Sequence, residues 1–268
     1  MDNFSIDALV INRNLKSVTD DLIGKLESSK SFRSIGVVDG ASREEEISNH
    51  TVVRSDSLAA QAFGLRINRG YNLAISWWIK QSIQSDYLLL LPNDTVMVEM
   101  NVSELIASLD DKFPVAAIVP LPADSPYQTI LPKGRIGIGW HFNEGPIVLS
   151  KNFILHQERC GREVFDSENF RGYLSFIDLA LRIYANHFCM IGTNLISFNE
   201  NESHLHNHHE LIVTEEASRN ASLLLKEGRA WLAQKHGLID GLSFENLVRL
   251  SFEEFMRLNP KLSSWRIR

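Results

Sequence analysis

The chain has 268 residues, of which 44% are hydrophobic and 22% are charged. This composition is typical of a folded protein with an ordinary core and argues against a largely disordered chain. The length suits one large α/β domain, alone or with an appendage. The formal net charge of -6 argues against broad electrostatic binding to DNA or RNA, so we expect no nucleic-acid partner.

The cysteine content and the first residues bear on location. Cys160 and Cys189 are the two cysteines; they are too few for a disulfide framework and fit a reducing cytosol. Residues 1–5 lack the positive charge and apolar core of a signal peptide. No apolar stretch approaches the roughly 20 residues of a transmembrane helix. We therefore expect a cytoplasmic protein.

Strand-like and helix-like segments alternate along the first 120 residues. Continuous apolar runs predict buried strands, and apolar residues at helical spacing predict helices. Their alternation is typical of an α/β fold with a mostly parallel sheet flanked by helices. The predicted strands are 6–11, 34–38, 51–54, 87–91 and 115–119. The predicted helices are 16–28, 68–82 and 102–109.

The composition changes after Pro120, where frequent prolines and glycines predict a loop-rich segment. Beyond it the sequence predicts a strand, a helix, a strand and two amphipathic helices, at 146–149, 174–186, 188–196, 215–236 and 243–258. The predicted division is an α/β domain over 1–209 and a C-terminal helical extension over 210–268.

The segment from Tyr87 to Thr95 is the most informative in the chain. An apolar run long enough for a buried strand stops at Pro92-Asn93-Asp94. Buried parallel strands are continuous apolar runs, and α/β sheets bind ligands beyond the carboxyl ends of their strands. Asp94 would therefore lie where a metal ion or a diphosphate binds. The alternative is a turn, because Pro-Asn-Asp is a favourable turn sequence.

Several short segments, taken in order, resemble the GT-A glycosyltransferases of family 2, especially the rhamnosyltransferase-like group. The resemblance covers about residues 6 to 209. The segments are Asn12-Arg13-Asn14, Val37 to Ser42, Asn68 to Asn72, Leu89 to Thr95, Phe165 to Phe170 and Asp178 to Arg182.

The resemblance implies a GT-A (Rossmann-like) fold and transfer of a sugar from a nucleotide-sugar donor to a glycan or lipid-linked acceptor, with inversion. It implies that Asp39 contacts the nucleotide base or ribose and that Asp94 binds Mg²⁺ or Mn²⁺ at the diphosphate. The other candidate donor-binding residues are Asn12, Arg13, Asn68 and Asn93. For Asp39 and Arg13 the alternative is an ordinary turn, since Asp beside Gly40 is favourable in turns.

A histidine-rich segment follows the last predicted strand, from His204 to His209. In the family, a histidine after the acceptor helix can complete the metal site, and His204 and His206 are best placed by order. The alternating imidazoles would also suit Zn²⁺ or Ni²⁺. The remaining alternative is an exposed polar loop.

Two departures from the family pattern concern the catalytic groups. The metal motif often carries two aspartates, whereas here Asp94 stands alone. The family usually has a glutamate-aspartate pair just before Asp178, where this chain has Ser175-Phe176. Asp178 is the first candidate for the general base and Glu168 the second, with Asp166 as a third option. An ordinary helix ion pair with Arg182, four residues later, would also explain Asp178.

Aromatic residues and the C-terminal tail leave further partners open. Trp77 and Trp78 fit core packing, whereas Trp140-His141 in the glycine-rich segment is the better candidate for acceptor contact. The tail combines basic and aromatic residues, which would allow peripheral membrane contact, and its helices could pair in a homo-oligomer. Packing on the main domain is the simpler expectation because Glu245, Glu253 and Glu254 dilute the charge.

Three functions fit these observations. The first is a cytoplasmic glycosyltransferase. The second is a non-catalytic relative that binds a nucleotide or glycan and has lost the base. The third is a nucleotidyltransferase, which also places a metal-binding aspartate at a strand end; against it, the N-terminus carries no glycine-rich arginine-lysine signature.

Overall fold

The computed structural model describes residues 5–56, 67–109, 113–125, 130–131, 135–142, 145–170, 174–200, 221–237 and 241–267. Within these ranges a nine-stranded sheet is flanked by helices. The strands are β1 (Ile6–Asn12), β2 (Ser34–Asp39), β3 (Thr51–Arg54), β4 (Tyr87–Pro92), β5 (Thr95–Met100), β6 (Val115–Pro122), β7 (Ile136–Ile138), β8 (Ile147–Ser150) and β9 (Cys189–Glu200). The α-helices are α1 (Lys16–Ser29), α2 (Ile67–Trp78), α3 (Val102–Ser108), α4 (Lys151–Arg159), α5 (Ser175–Ala185), α6 (Ala221–His236) and α7 (Gly241–Leu258). Short 3₁₀ helices lie at Glu44–Glu46 and Pro260–Trp265.

The first four strands form the parallel part of the sheet, in the order β3-β2-β1-β4. Every residue of β1 is buried, and β4 is buried from Tyr87 to Leu91. Such strands need apolar side chains on both faces, which β4 supplies throughout its buried part and β1 supplies from Ala8 to Ile11. The register pairs Asn12 with Asp39 and Ile11 with Pro92, so the chain segments that follow β1, β2 and β4 leave the sheet at the same edge.

The other half of the sheet is mixed. β8 runs antiparallel to β4 and β6, β6 and β9 are parallel, and β5 and β7 run antiparallel to β9. Between β4 and β5 no helix intervenes, and β5 pairs antiparallel with β9 rather than with β4. The alternation that predicts a mostly parallel sheet is therefore interrupted after β4.

Two strands, β5 and β7, and one α-helix, α4, were not predicted from the sequence. β7 has only three residues, one of them glycine, and the residues of β5 alternate in burial and include Glu99, so neither forms a continuous apolar run. α4 begins directly after β8, where the hydroxyl of Ser150 caps the helix by accepting a hydrogen bond from the Phe153 amide at 3.2 Å. α2 ends at Trp78, four residues before the predicted end.

The C-terminal residues pack on the sheet and on α5. The ring of Tyr184 contacts the rings of Phe252 and Phe255, with centroids 5.3 and 5.5 Å apart, and the Ile267 amide donates to the Ile138 carbonyl at 2.9 Å. Packing on the main domain is therefore observed for residues 241–267. Among the described residues, no helix has the length and apolar composition needed to cross a membrane.

Asp7 joins the start of β1 to three other segments. Its side chain is 1% exposed. It accepts two hydrogen bonds from the Arg33 guanidinium, at 3.0 and 2.6 Å, and one from the Trp78 indole at 2.7 Å. Burial alone would raise the pKa of Asp7, but the hydrogen bonds from Arg33, Ser34, Trp78 and the Ser85 amide outweigh it and lower this pKa.

We predict that Asp7→Asn lowers the free energy of unfolding by about 3 kcal/mol at neutral pH, because Arg33 then loses its buried charged partner. Urea denaturation measures this change. Since the pKa of Asp7 is lower in the folded state, its contribution is present above the ordinary value of 3.8 and is lost as the pH falls further. The difference between wild type and variant should therefore shrink in acid.

The control is Asp124→Asn, in an exposed turn after β6, which we expect to change stability by no more than about 0.5 kcal/mol. An unchanged unfolding midpoint for Asp7→Asn would contradict the structural role of this network.

Candidate functional site

A cleft of about 450 Å³ opens at the carboxyl ends of β1 and β4. This volume lies in the range of small-molecule sites, roughly 300–1,000 Å³. Four of the predicted donor and metal residues are on its wall: Arg13, Asn68, Asn93 and Asp94. The rest of the lining is Ile11, Ile67, Tyr71, Pro92, Thr95, Gly145, Pro146, Ser175, Phe176, Phe198 and Glu200.

Asn12 and Asp39 lie behind this wall and are fully buried. The Asn12 amide donates to the Asp39 carboxylate at 2.9 Å and to the Glu46 carbonyl at 3.0 Å. The other Asp39 oxygen accepts from the Ser42 amide at 3.0 Å. The two residues therefore fasten the loop after β2 to the end of β1. The bond from the Ser42 amide to Asp39 is typical of the turn alternative, and a nucleotide contact of Asn12 or Asp39 stays a prediction.

The same network reaches the segment after β4. The side-chain oxygen of Asn12 (Oδ1) accepts hydrogen bonds from the Thr19 hydroxyl at 3.0 Å and from the side-chain amide of Asn93 at 3.4 Å. Asn93, which lines the cleft beside Asp94, is thus oriented by β1 and α1.

Arg13 stands where the loops after β1 and β2 meet. Its guanidinium donates to the carbonyls of Gly40 and Ala41 at 2.6 and 2.8 Å. Asn14 and Ala41 have positive φ angles of 51° and 54°, a conformation that is uncommon for residues other than glycine and concentrates at functional sites. The loops thus hold a cationic group at the cleft.

Asn68 is buried at the cleft wall. Its amide donates to the Phe170 carbonyl at 3.0 Å, and its oxygen accepts from the Ser175 hydroxyl at 3.1 Å. These bonds join α2 to the start of α5, so the side chain has a clear structural role beside its position on the wall.

Among the described residues, the carboxylates that line the cleft are Asp94 and Glu200. The antiparallel pairing of β5 and β9 puts Thr95 opposite Glu200, which brings Asp94 and Glu200 to the same part of the wall. Glu200 was not predicted, because β9 extends four residues beyond the predicted strand into a polar run that reads as a loop.

Ser175 and Phe176 occupy the cleft wall at the start of α5. Asp178, the first candidate for the base, is fully buried and does not line the cleft. Its carboxylate contacts Arg182 at 2.8 Å, Lys235 at 2.9 Å and His236 at 3.2 Å.

Burial alone would raise the pKa of Asp178, but the hydrogen bond from His236 and the charges of Arg182 and Lys235 lower it well below its usual range. A general base works best with a pKa near the operating pH. The geometry of Asp178 therefore favours the ion-pair alternative.

The other proposed bases also lie away from the cleft lining. Glu168 is exposed. Asp166 contacts Lys235 at 2.8 Å, and its pKa is lowered because hydrogen bonds from Lys235 and Asn169 outweigh the effect of burial. Their catalytic roles stay predictions.

His204 and His206 lie outside the described residues, so their role in a metal site stays a prediction. Within the part of the chain that the structure describes, no three His, Cys, Asp or Glu side chains are grouped as a metal site. Among the described residues of the cleft, the candidate metal ligands are the carboxylates of Asp94 and Glu200.

Comparison with solved structures places the fold among glycosyltransferases. GalNAc-T7 with UDP, GalNAc and Mn²⁺ is 9% identical with a TM-score of 0.56, and the match covers 99% of this chain and 59% of that one. A mannosyltransferase from Pyrobaculum calidifontis in complex with GDP-Man and Mn²⁺ is 12% identical with a TM-score of 0.51, covering 98% and 85%. Mannosyl-3-phosphoglycerate synthase from Rubrobacter xylanophilus is 14% identical with a TM-score of 0.50, covering 90% and 78%.

The predicted GT-A fold class is thereby confirmed. At these identities the similarity concerns the fold, and this chain spans a little over half of the GalNAc-T7 chain. No protein-family profile matches the sequence, and no curated protein matches it.

We predict that Asp178→Asn lowers the free energy of unfolding by about 3 kcal/mol, because Arg182 and Lys235 lose a buried charged partner and His236 loses a hydrogen-bond partner. Urea unfolding at neutral pH measures the effect. The matched control is Glu168→Gln, whose exposed side chain we expect to be neutral for stability. Equal stabilities of Asp178→Asn and wild type would refute the ion-pair role and revive Asp178 as a candidate base.

Proposed function

We propose that the protein is a glycosyltransferase that uses a nucleotide-sugar donor and a divalent cation. The observation that carries the proposal is the position of Asp94, at the carboxyl end of β4 in a cleft that also presents Arg13 and Asn93. The same fold is found in a mannosyltransferase solved with GDP-Man and Mn²⁺. Membership of family 2 and of its rhamnosyltransferase-like group is part of the proposal.

The cleft fits a hard cation. Mg²⁺ and Mn²⁺ prefer oxygen ligands, and Mg²⁺ usually keeps several waters, so one or two protein carboxylates suffice. Asp94 and Glu200 supply such oxygens from neighbouring positions of the wall. Bound there, the cation would stabilise negative charge on the departing nucleoside diphosphate.

The chain's own residues would orient the donor. The Arg13 guanidinium, held by the Gly40 and Ala41 carbonyls, would add positive charge near the diphosphate, where preorganised groups act strongly on developing charge. Asn12 and Asp39 are buried behind the wall, so we propose that they act on the nucleotide by fixing the loop after β2.

On the acceptor side, Ser175 and Phe176 stand where the family that the chain resembles has its carboxylate pair. Inversion requires that a group accept the proton of the attacking hydroxyl. Among the described residues that line the cleft, the carboxylates are Asp94 and Glu200. A glycan or lipid-linked acceptor is the class that the resemblance implies.

The same observation favours a second candidate function, a non-catalytic relative that binds a nucleotide or glycan. Purified protein distinguishes the two. Release of nucleoside diphosphate from a donor supports the transferase, whereas metal-dependent binding without release under any acceptor supports the binding protein.

We predict that UDP, dTDP or GDP raises the melting temperature in the presence of Mn²⁺ and that Asp94→Asn abolishes the rise. A ligand at 100 times its dissociation constant stabilises the native state by about 2.7 kcal/mol. Thermal unfolding with and without each nucleotide and Mn²⁺ measures it. Asp124→Asn, in the exposed turn after β6, serves as the control and should retain the full shift.

If no nucleotide raises the melting temperature of the wild-type protein, both the transferase and a nucleotide-binding relative are contradicted at this cleft. A shift that survives in Asp94→Asn would place the metal elsewhere.

We also predict that Glu200→Gln raises the Mn²⁺ concentration needed for half of the nucleotide-induced shift by about tenfold or more, because the amide is a weaker ligand than the carboxylate it replaces. A Mn²⁺ titration at fixed nucleotide measures it. Glu99→Gln, on the exposed side of β5, is the matched control. If Glu200→Gln needs no more Mn²⁺ for half of the shift than Glu99→Gln does, Glu200 is not a ligand of the metal.

A further inference from the structure

A second cavity lies between residues 139–142 and helix α7, apart from the cleft. Its volume is about 250 Å³, which suits one small polar group with part of its carrier. The side chains used below are those of Trp140, His141, Arg249, Glu253 and Arg266. Among the described residues, those that line this cavity differ from those that line the cleft.

Arg249 provides the charge of this cavity. Its guanidinium lies over the Trp140 ring, 4.7 Å from the centroid. Stacking of this kind orients the guanidinium plane while leaving its N–H donors for other partners. In the described ranges, no carboxylate lies within ion-pair distance of Arg249, although other arginines of the C-terminal segment are paired.

The remaining charges leave the cavity positive. Arg266 is paired with Glu253 through two hydrogen bonds, at 2.8 and 2.5 Å, so these two charges offset each other. Burial lowers the pKa of His141 to about 4, which keeps its imidazole neutral near pH 7. Among the described residues, the Arg249 guanidinium therefore faces this partly enclosed space without a carboxylate partner.

Some residues that line the cavity lie close in the sequence to residues that line the cleft. Phe142 lines the cavity and Gly145 lines the cleft. Three residues of fully extended chain span at most about 11 Å, which bounds the separation of these two wall positions. A ligand the size of a sugar with a charged substituent could reach from one site toward the other.

We propose that this cavity binds a carboxylate or phosphate group carried by the acceptor. The proposal rests on the transferase function proposed above. The planar fork of an arginine matches both oxyanions and binds them through paired, charge-assisted hydrogen bonds. A neutral group would leave the Arg249 donors without a charged partner. The site would therefore select acceptors that carry a negative charge near the hydroxyl to be glycosylated.

Calorimetric titration of the full chain, without nucleotide, tests the proposal. The probes are glucuronate, glucose 6-phosphate and neutral glucose. We expect at least one anionic sugar to bind and glucose to bind about tenfold more weakly or not at all, because a hydrogen bond to a charged group is stronger than a neutral one. The relative affinities of the two anionic sugars distinguish a carboxylate from a phosphate ligand.

The decisive variant is Arg249→Ala. The Arg249 side chain is exposed, so we expect the variant to fold, and thermal unfolding checks this. We expect Arg249→Ala to weaken binding of the anionic sugar by about tenfold or more. Arg249→Lys, which keeps the charge but loses the fork, should fall between. The matched control is Arg257→Ala on the same helix, an exposed residue paired with Glu254, which should bind as wild type does.

Several results would overturn the proposal: no binding of either anionic sugar, equal binding of glucose, or equal binding by Arg249→Ala and wild type. Loss of anionic sugar binding in Asp94→Asn would also overturn it, because the ligand would then lie in the cleft. Failure of nucleotides to bind, with Arg249-dependent sugar binding intact, would refute the donor function while the anion site stands.

Discussion

The buried hydrogen bond between Asn12 and Asp39 is the constraint on which the cleft depends. It joins the last residues of β1 and β2, which are also paired in the sheet. From Asn12, further bonds run to Thr19 and Asn93. A buried polar group is costly unless its partners are in place. The loops that carry Arg13 and Asp94 are therefore fixed by a network whose members depend on one another.

The site residues that directly follow strands could be predicted from the sequence. Arg13, Asn93 and Asp94 follow buried apolar runs directly, so the pattern that predicts the strand also places the residue at the edge of the sheet. Glu200 and Arg249 come from segments brought in by antiparallel pairing and by helix packing. Such contacts depend on side chains distant in the chain, and hydrophobic periodicity carries no information about them.

Asp178 shows how a motif can be recognised while its role remains open. The spacing to Arg182 was visible in the sequence, and the ion pair is present. What the sequence did not show is that Lys235 and His236, at the end of α6, reach the same carboxylate. A buried carboxylate needs such compensation to remain charged. The charges of Arg182 and Lys235 and the hydrogen bond from His236 thus account for the burial of Asp178, and its catalytic role stays a prediction.

The distribution of charge bears on what the two cavities can bind. The chain is acidic overall, with a net charge of -6, so an anionic ligand gains little from long-range attraction and must be bound by local groups. The two arginines each contact uncharged groups: Arg13 donates to backbone carbonyls, and Arg249 lies over an indole ring. A carbonyl or a ring orients a guanidinium without neutralising it, whereas a carboxylate does both, as Glu253 does for Arg266. An arginine held against uncharged groups thus occurs in both cavities. Their nearest lining residues along the chain, Phe142 and Gly145, are three positions apart. That arrangement suits a reaction in which the donor and the acceptor each bring negative charge to adjoining sites.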